Sequence, residues 1–246
     1  MVNMKRILSL TLFALFALAY PAFADIVWYS DLNQNTGTTV APNVGATTCS
    51  FVNSPTWTTG KFGYGIDFDA GTVDYLGCGT SHIVSTTDWA FAAWIKLEGS
   101  AAYRPIVTNG DDDAPAKSGM QMYVTNTDKL QCQAIVGTDS GETATSTASV
   151  DETGNVWTHV GCKKVGTALT TWINGAQDGS ATLSSATMDY TGDTVVFRFG
   201  SWAVDATNLF LGQMDELRVF NSDVDMAAIY AASPRSRVSA TIFFQP

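Results

Sequence analysis

From Ile26 onward the chain is a succession of short runs rich in Val, Ile, Thr and aromatic residues, separated by clusters of Gly, Asn, Asp, Ser and Thr. Runs of that length and make-up are strands, and the small polar clusters between them are turns. The pattern predicts strands at Ile26–Tyr29, Gly65–Asp69, Ala90–Leu97, Met120–Val124, Leu130–Val136, Trp157–Lys164, Leu169–Ile173, Val195–Phe199 and Met214–Phe220. Asn109-Gly110-Asp111 and Asn174-Gly175 supply the positive backbone angles of tight turns, and the Ser/Thr-rich piece Thr143 to Ser149 reads as a loop. Across Trp89 to Leu97 alternation sets Trp89, Phe91, Ala93, Ile95 and Leu97 on one face and Ala90, Ala92, Trp94 and Lys96 on the other. Both faces are largely apolar, as a central strand covered on both sides requires. One segment has helical spacing, Asp223 to Ala232, with Met226, Ile229 and Tyr230 on one side, Ser222 as a cap and Pro234 as the stop. Many short strands and a single short C-terminal helix describe an all-β sandwich or barrel.

The first 24 residues have a different pattern. Lys5 and Arg6 precede an apolar run from Ile7 to Tyr20, and Ala22-Phe23-Ala24 offers small residues at a cleavage point. That is the pattern of a secretory signal peptide (1–24), with one domain expected over 25–233 and a tail over 234–246. No later run is apolar enough for about 20 residues to span a bilayer. Removing the leader takes away two of the 13 basic residues and none of the 23 acidic ones. So acidic a chain is a poor partner for nucleic acid, and outside the cytoplasm its carboxylates can meet abundant calcium. Cys49, Cys78, Cys132 and Cys162 form an even set in an oxidising compartment, secreted, periplasmic or at the cell surface. Of three possible connectivities, Cys49 with Cys78 and Cys132 with Cys162 close the shorter stretches, and no spacing suits a zinc knuckle.

Four pieces, in order, resemble the laminin-G-like subgroup of concanavalin A-like lectins and glucanases. They are Gly60-Lys61-Phe62-Gly63-Tyr64-Gly65-Ile66-Asp67-Phe68-Asp69 with Asp74-Tyr75-Leu76; Trp89-Ala90-Phe91-Ala92-Ala93-Trp94-Ile95-Lys96; Trp157-Thr158-His159-Val160 with Trp172-Ile173-Asn174-Gly175; and Phe199-Gly200 with Gly212-Gln213-Met214-Asp215-Glu216-Leu217-Arg218-Val219-Phe220. Ala70 departs from the glycine that the family tends to have there. The resemblance implies a jelly-roll sandwich of two antiparallel sheets, often with calcium and often with a role in binding glycans or extracellular proteins. Function on such a fold resides in its variable loops.

Laminarinase-type hydrolases of this fold carry two carboxylates on one strand. No Glu-x-Asp-x-x-Glu run occurs here; Asp67 and Asp69 alternate without a third acid, and Asp111-Asp112-Asp113 sits in a predicted turn. His82 and His159 lie far apart, with no nucleophile motif beside either. No catalytic residue is therefore expected. Alternation along Met214–Phe220 turns Asp215 to the core with Leu217 and Val219. If first and last strands lie side by side, Asp31 joins it in a structural calcium site; the competing expectation is a carboxylate held by backbone amides or an arginine. Trp57, Tyr103, Tyr190 and Trp202 fall in predicted loops and are the candidates for stacking on sugar rings, whereas Trp28, Trp94, Trp157 and Trp172 belong to strands and the core. The leading expectation is a secreted non-catalytic domain that binds a glycan or extracellular glycoconjugate. The alternative is an adhesive subunit that associates with copies of itself through the sandwich and the tail strand Thr241-Ile242-Phe243-Phe244.

Overall fold

The computed structural model describes residues 26–69, 73–81, 84–99, 103–111, 118–137, 140–190, 196–202 and 208–232. The expected leader, the tail with Thr241–Phe244, His82, Asp112 and Asp113 lie outside these. Two eight-stranded antiparallel sheets stack as a jelly-roll sandwich. The first sheet runs β14 (Ala176–Thr182), β13 (Ala168–Ile173), β12 (Thr158–Val165), β7 (Trp89–Leu97), β16 (Gly212–Phe220), β5 (Tyr64–Phe68), β4 (Thr56–Thr59), with β1 (Ile26–Ser30) also on β16. The second runs β11 (Ser140–Ser149), β10 (Lys129–Val136), β9 (Ser118–Val124), β8 (Arg104–Asp111), β15 (Val196–Phe199), β6 (Tyr75–Gly77), β3 (Cys49–Val52), β2 (Thr39–Val40).

β7 divides as its alternation dictates. Trp89, Phe91, Ala93, Ile95 and Leu97 enter the interior between the sheets, where Trp28 packs on Phe197 and Phe199. Ala90 and Ala92 face out, under Met226 and Ile229 of the helix α1 (Met226–Ala231). The helix starts later than its pattern suggests because Asp225, not Ser222, caps it: the Asp225 carboxylate accepts from the Ala227 and Ala228 amides at 3.0 and 3.1 Å. Cys49 is joined to Cys78 across neighbouring strands of the second sheet, and Cys132 of β10 to Cys162 of β12, tying one sheet to the other. Asn174 (φ 51°) and Gly175 (φ 80°) make the β13–β14 turn as expected.

Three expectations need correction. Asn109-Gly110-Asp111 is not a turn but the end of β8, where Gly110 stands opposite Gly119. A Cβ on either would run into the partner strand's backbone, so the glycines permit a close approach of strands rather than a reversal. Thr143 to Ser149 is part of β11, an edge strand whose Asp178 contacts, Thr147 Oγ1 to the Asp178 carbonyl and the Ala148 amide to its carboxylate, fasten it to β14 of the other sheet. Among the tryptophans, Trp57 lies in β4 rather than a loop, and Trp157 precedes β12, half-buried beneath the Lys96 amine at 5.7 Å.

Candidate functional site

Along β9 the side chains of Met120, Met122 and Val124 fill the interior, which turns Gln121 and Tyr123 to the outer face of the second sheet. Strand register continues that face across the sheet: Gln133 of β10 is opposite Gln121, Gln121 opposite Thr108 of β8, Thr108 opposite Arg198 of β15, and Arg198 opposite Gly77 of β6. The result is a polar row on the outside of a sheet whose inside is apolar. Thr108 donates to the Ser201 carbonyl at 3.1 Å, so the segment leaving β15 lies over the middle of the row. Several polar atoms gathered there have no partner although they are buried: both amide atoms of Gln121, Oε1 of Gln133, Oγ of Ser201 and Nε1 of Trp202. Gln121 is only 2% exposed, and an orphaned buried amide costs about 1–3 kcal/mol per group.

Aromatic rings border the row. Trp202 packs on Tyr123 at 4.9 Å and Tyr123 on Tyr103 at 6.0 Å, with Tyr103 40% exposed. At the far end the Arg198 guanidinium lies 4.7 Å from the Tyr75 ring. Of the four aromatics singled out by sequence, Tyr103 and Trp202 are therefore brought together, through Tyr123. Trp57 and Tyr190 are elsewhere. Trp57 stacks on Phe51 and donates to the Gly37 carbonyl; Tyr190 donates to the Val84 and Ser85 carbonyls, and burial pushes its phenol up.

The acidic residues of β16 occupy the other sheet. β16 changes its neighbour from β5 (Gly212–Met214) to β1 (Leu217–Phe220), and at the changeover Glu216 takes a left-handed angle, φ 53°. This bulge resets the alternation, so Asp215 does not share the interior with Leu217 and Val219. It stands opposite Trp94, on the outer side, beneath the 60–64 hairpin. Its oxygens accept from the Phe62 amide at 2.8 Å and the Glu216 amide at 2.7 Å, and burial pushes its carboxyl up to about 8. Glu216 accepts from the hydroxyl of the half-buried Tyr29 at 3.0 Å and from Arg218 at 2.6 Å, and Glu216 and Arg218 are buried rather than turned to solvent. Asp31 accepts from the Asn33 amide and interacts with Tyr29 and Glu216. β1 and β16 do lie side by side, yet among the described residues no three acids, histidines or cysteines gather to hold a cation. The shell of Asp215 consists of backbone amides, which serve a carboxylate and not a metal, so Asp31 and Asp215 do not fit as a calcium site.

His159 is buried between Trp94 and Tyr230, and burial, with Arg218 nearby, brings it down to about 3. It is a packing residue of the outer face of the first sheet. Beside the helix, a cavity of about 310 Å³ is lined by Lys163, Trp172, Asp223, Val224, Asp225 and Met226. Its one amine is spent: Lys163 lies over the Trp172 ring and is bonded to Asp223 at 2.8 Å and the Val224 carbonyl at 3.2 Å.

Two stacked sheets, the helix behind β7 and β16, and the ordering of Gly60–Asp69, Trp89–Lys96 and Gly212–Phe220 all agree with one family. Residues 70–229 match the model of the concanavalin A-like lectin/glucanases superfamily in its laminin-G-like form. The chain belongs to this superfamily. No curated protein matches it. Similar solved structures include domain 4 of an extracellular arabinanase of Geobacillus stearothermophilus in complex with arabinotriose (TM-score 0.65, 17% identity, 85% of this chain and 98% of that one). The binding domain of botulinum neurotoxin serotype D follows at 0.62 and 12%, covering 87% of this chain and 53% of that one. Trypanosoma rangeli sialidase, in complex with 2,3-difluorosialic acid, stands at 0.62 and 9%, with 86% and 34% covered. At these identities the likeness is one of fold. No described helix is long and apolar enough to cross a membrane.

In this concanavalin A-like chain, sequence reasoning missed Gln121, Tyr123, Gln133 and Arg198. The signal for two of them was present: Met120-Gln121-Met122-Tyr123-Val124 alternates strictly, and its outward members are an amide and a phenol. Their alignment with Gln133 and Arg198 depends on strand register, which one sequence does not reveal.

Proposed function

We propose that the protein is a secreted, non-catalytic domain that binds a glycan or glycoconjugate on the outer face of its second sheet, around Gln121, Tyr123, Gln133 and Trp202. The observation that carries this reading is the collection of unpartnered polar atoms beside stacked rings. Sugar hydroxyls donate and accept, as an orphaned amide requires, while the C–H face of a pyranose packs on an aromatic ring. The arabinotriose-bound arabinanase domain, which this chain matches over nearly its whole length, supports a binding role for the fold. Against catalysis stand the occupied carboxylates: Asp215 is held by backbone amides and Glu216 by Tyr29 and Arg218. The two disulfides suit an oxidising compartment.

Calorimetric titration with arabino-, xylo-, galacto- and uronic-acid oligosaccharides tests the site. Trp202→Ala is expected to weaken the best binder about tenfold or more, the loss of one stacked ring. Trp57→Ala and Tyr190→Phe should lower the melting temperature without changing affinity. Equal affinity in Trp202→Ala and the unmodified protein would place the site elsewhere, and release of reducing sugar from any oligosaccharide would contradict the non-catalytic reading.

A further inference from the structure

We infer that the glycan carries a carboxylate, a uronic acid rather than a neutral sugar, and that Arg198 receives it; the inference rests on the outer-face site proposed above.

Three arginines lie among the described residues. Arg104 is paired with Asp128 at 2.5 Å and Arg218 with Glu216 at 2.6 Å. Among the described residues no carboxylate lies within ion-pair distance of Arg198, although the chain carries 23 acidic residues against 13 basic ones. It is half-buried at the end of the polar row, with its guanidinium stacked 4.7 Å from the Tyr75 ring. One nitrogen is fixed by the Trp202 carbonyl at 3.1 Å. Its neighbour across the strand is Gly77, which places no side chain in front of it. The group is thus oriented from one side and below, and among the described residues its remaining donors have no acceptor. A planar guanidinium held in this way presents a two-toothed fork that matches a carboxylate.

Placement adds to the chemistry. Arg198, Thr108 and Gln121 occupy successive strands, so the backbones that carry the guanidinium and the orphaned amide stand roughly 10 Å apart at the usual strand spacing. That separation exceeds one pyranose ring. A carboxylate at Arg198 and hydroxyls at Gln121 therefore belong to neighbouring units of an oligosaccharide. The net charge of −10 opposes an anion at long range, yet that field is screened beyond about 8 Å at physiological salt, so the local fork decides.

The test titrates the full chain with hexamers of galacturonate, mannuronate and glucuronate, each beside the neutral hexamer of the same sugar and linkage. At least one uronate is expected to bind about tenfold more tightly than its neutral counterpart, the preference of a charge-assisted pair. Methyl esterification of that uronate should remove the preference, and it leaves the protein untouched. Arg198→Gln should remove it as well, with Arg198→Lys recovering only part, since a point charge lacks the fork. If neutral and uronate hexamers bind alike, the inference is overturned while the glycan site stands. If none of the hexamers binds, the inference fails, and the glycan site fails with it when the arabino- and xylo-oligosaccharides do not bind either.

Discussion

His159 sets its imidazole between Trp94 and Tyr230 with its Nδ1 unpartnered, and the fold holds it uncharged down to about pH 3. Its folded pKa lies below the ordinary 6.5, so the folded chain binds fewer protons between the two values. The stability due to the neutral ring is complete above about pH 6.5 and is lost as pH falls toward 3. The difference in unfolding free energy between the unmodified protein and His159→Gln should be flat above neutrality. Below pH 6.5 it should shrink by up to about 1.4 kcal/mol per pH unit, measured by urea denaturation. Asp215 titrates in the opposite sense. Its carboxyl is raised from 3.8 to about 8, so its contribution declines as pH rises through that interval. Asp215→Ala strips the Phe62 and Glu216 amides of their acceptor and should cost about 2 kcal/mol. Because amides and not an ion surround it, the fall in melting temperature should be the same in calcium and in chelator; a fall confined to calcium would restore a metal to this corner. Asp215 also illustrates what sequence withholds: its burial was foreseeable, but its face was set by the Glu216 bulge, and no residue type in Met214–Phe220 announces the bulge.

Among the elements, the nine strands foreseen all exist, and each carries apolar residues packed between the sheets. The ones that were not foreseen carry weak or misleading signals, and β3, β4 and β6 are only three or four residues long. β2 is two residues long, and β11 (Ser140–Ser149) and β14 (Ala176–Thr182) are edge strands rich in small and polar residues, so the hydrophobic period is faint. β8 was hidden by Asn109-Gly110, a turn signal used here for close strand contact. The two disulfides differ in what they join but hardly in the chain they close, with separations of 29 and 30 residues. Loop entropy alone gives each about 3.6 kcal/mol. Replacing either pair by alanine should therefore lower stability by nearly equal amounts. A much larger loss for Cys132–Cys162 would show that native packing between the sheets, and not the unfolded chain, is what that bridge governs.

For the whole molecule, the sandwich divides its surface into two outer faces with different fates. The first sheet's outer face is spent on structure: α1, the 60–64 hairpin, and the Tyr29, Glu216 and Arg218 network cover it. The sides are engaged as well, where β11 meets β14 and where Trp57 of β4 meets Phe51 of β3. The second sheet's outer face keeps its polar row and its rings. Fold and family could be read from four ordered pieces of sequence, because each consists of contiguous runs that form a strand or a turn. The site could not, because it is assembled from β9, β10, β15 and the segment after β15, far apart in the chain. Nuclear magnetic resonance of the protein titrated with its tightest-binding oligosaccharide tests this division most directly. The side-chain amides of Gln121 and Gln133 and the indole of Trp202 should shift together, with Lys163 and Trp172 beside the helix unmoved. Shifts centred on Lys163 and Trp172, with the glutamine amides unchanged, would contradict the account.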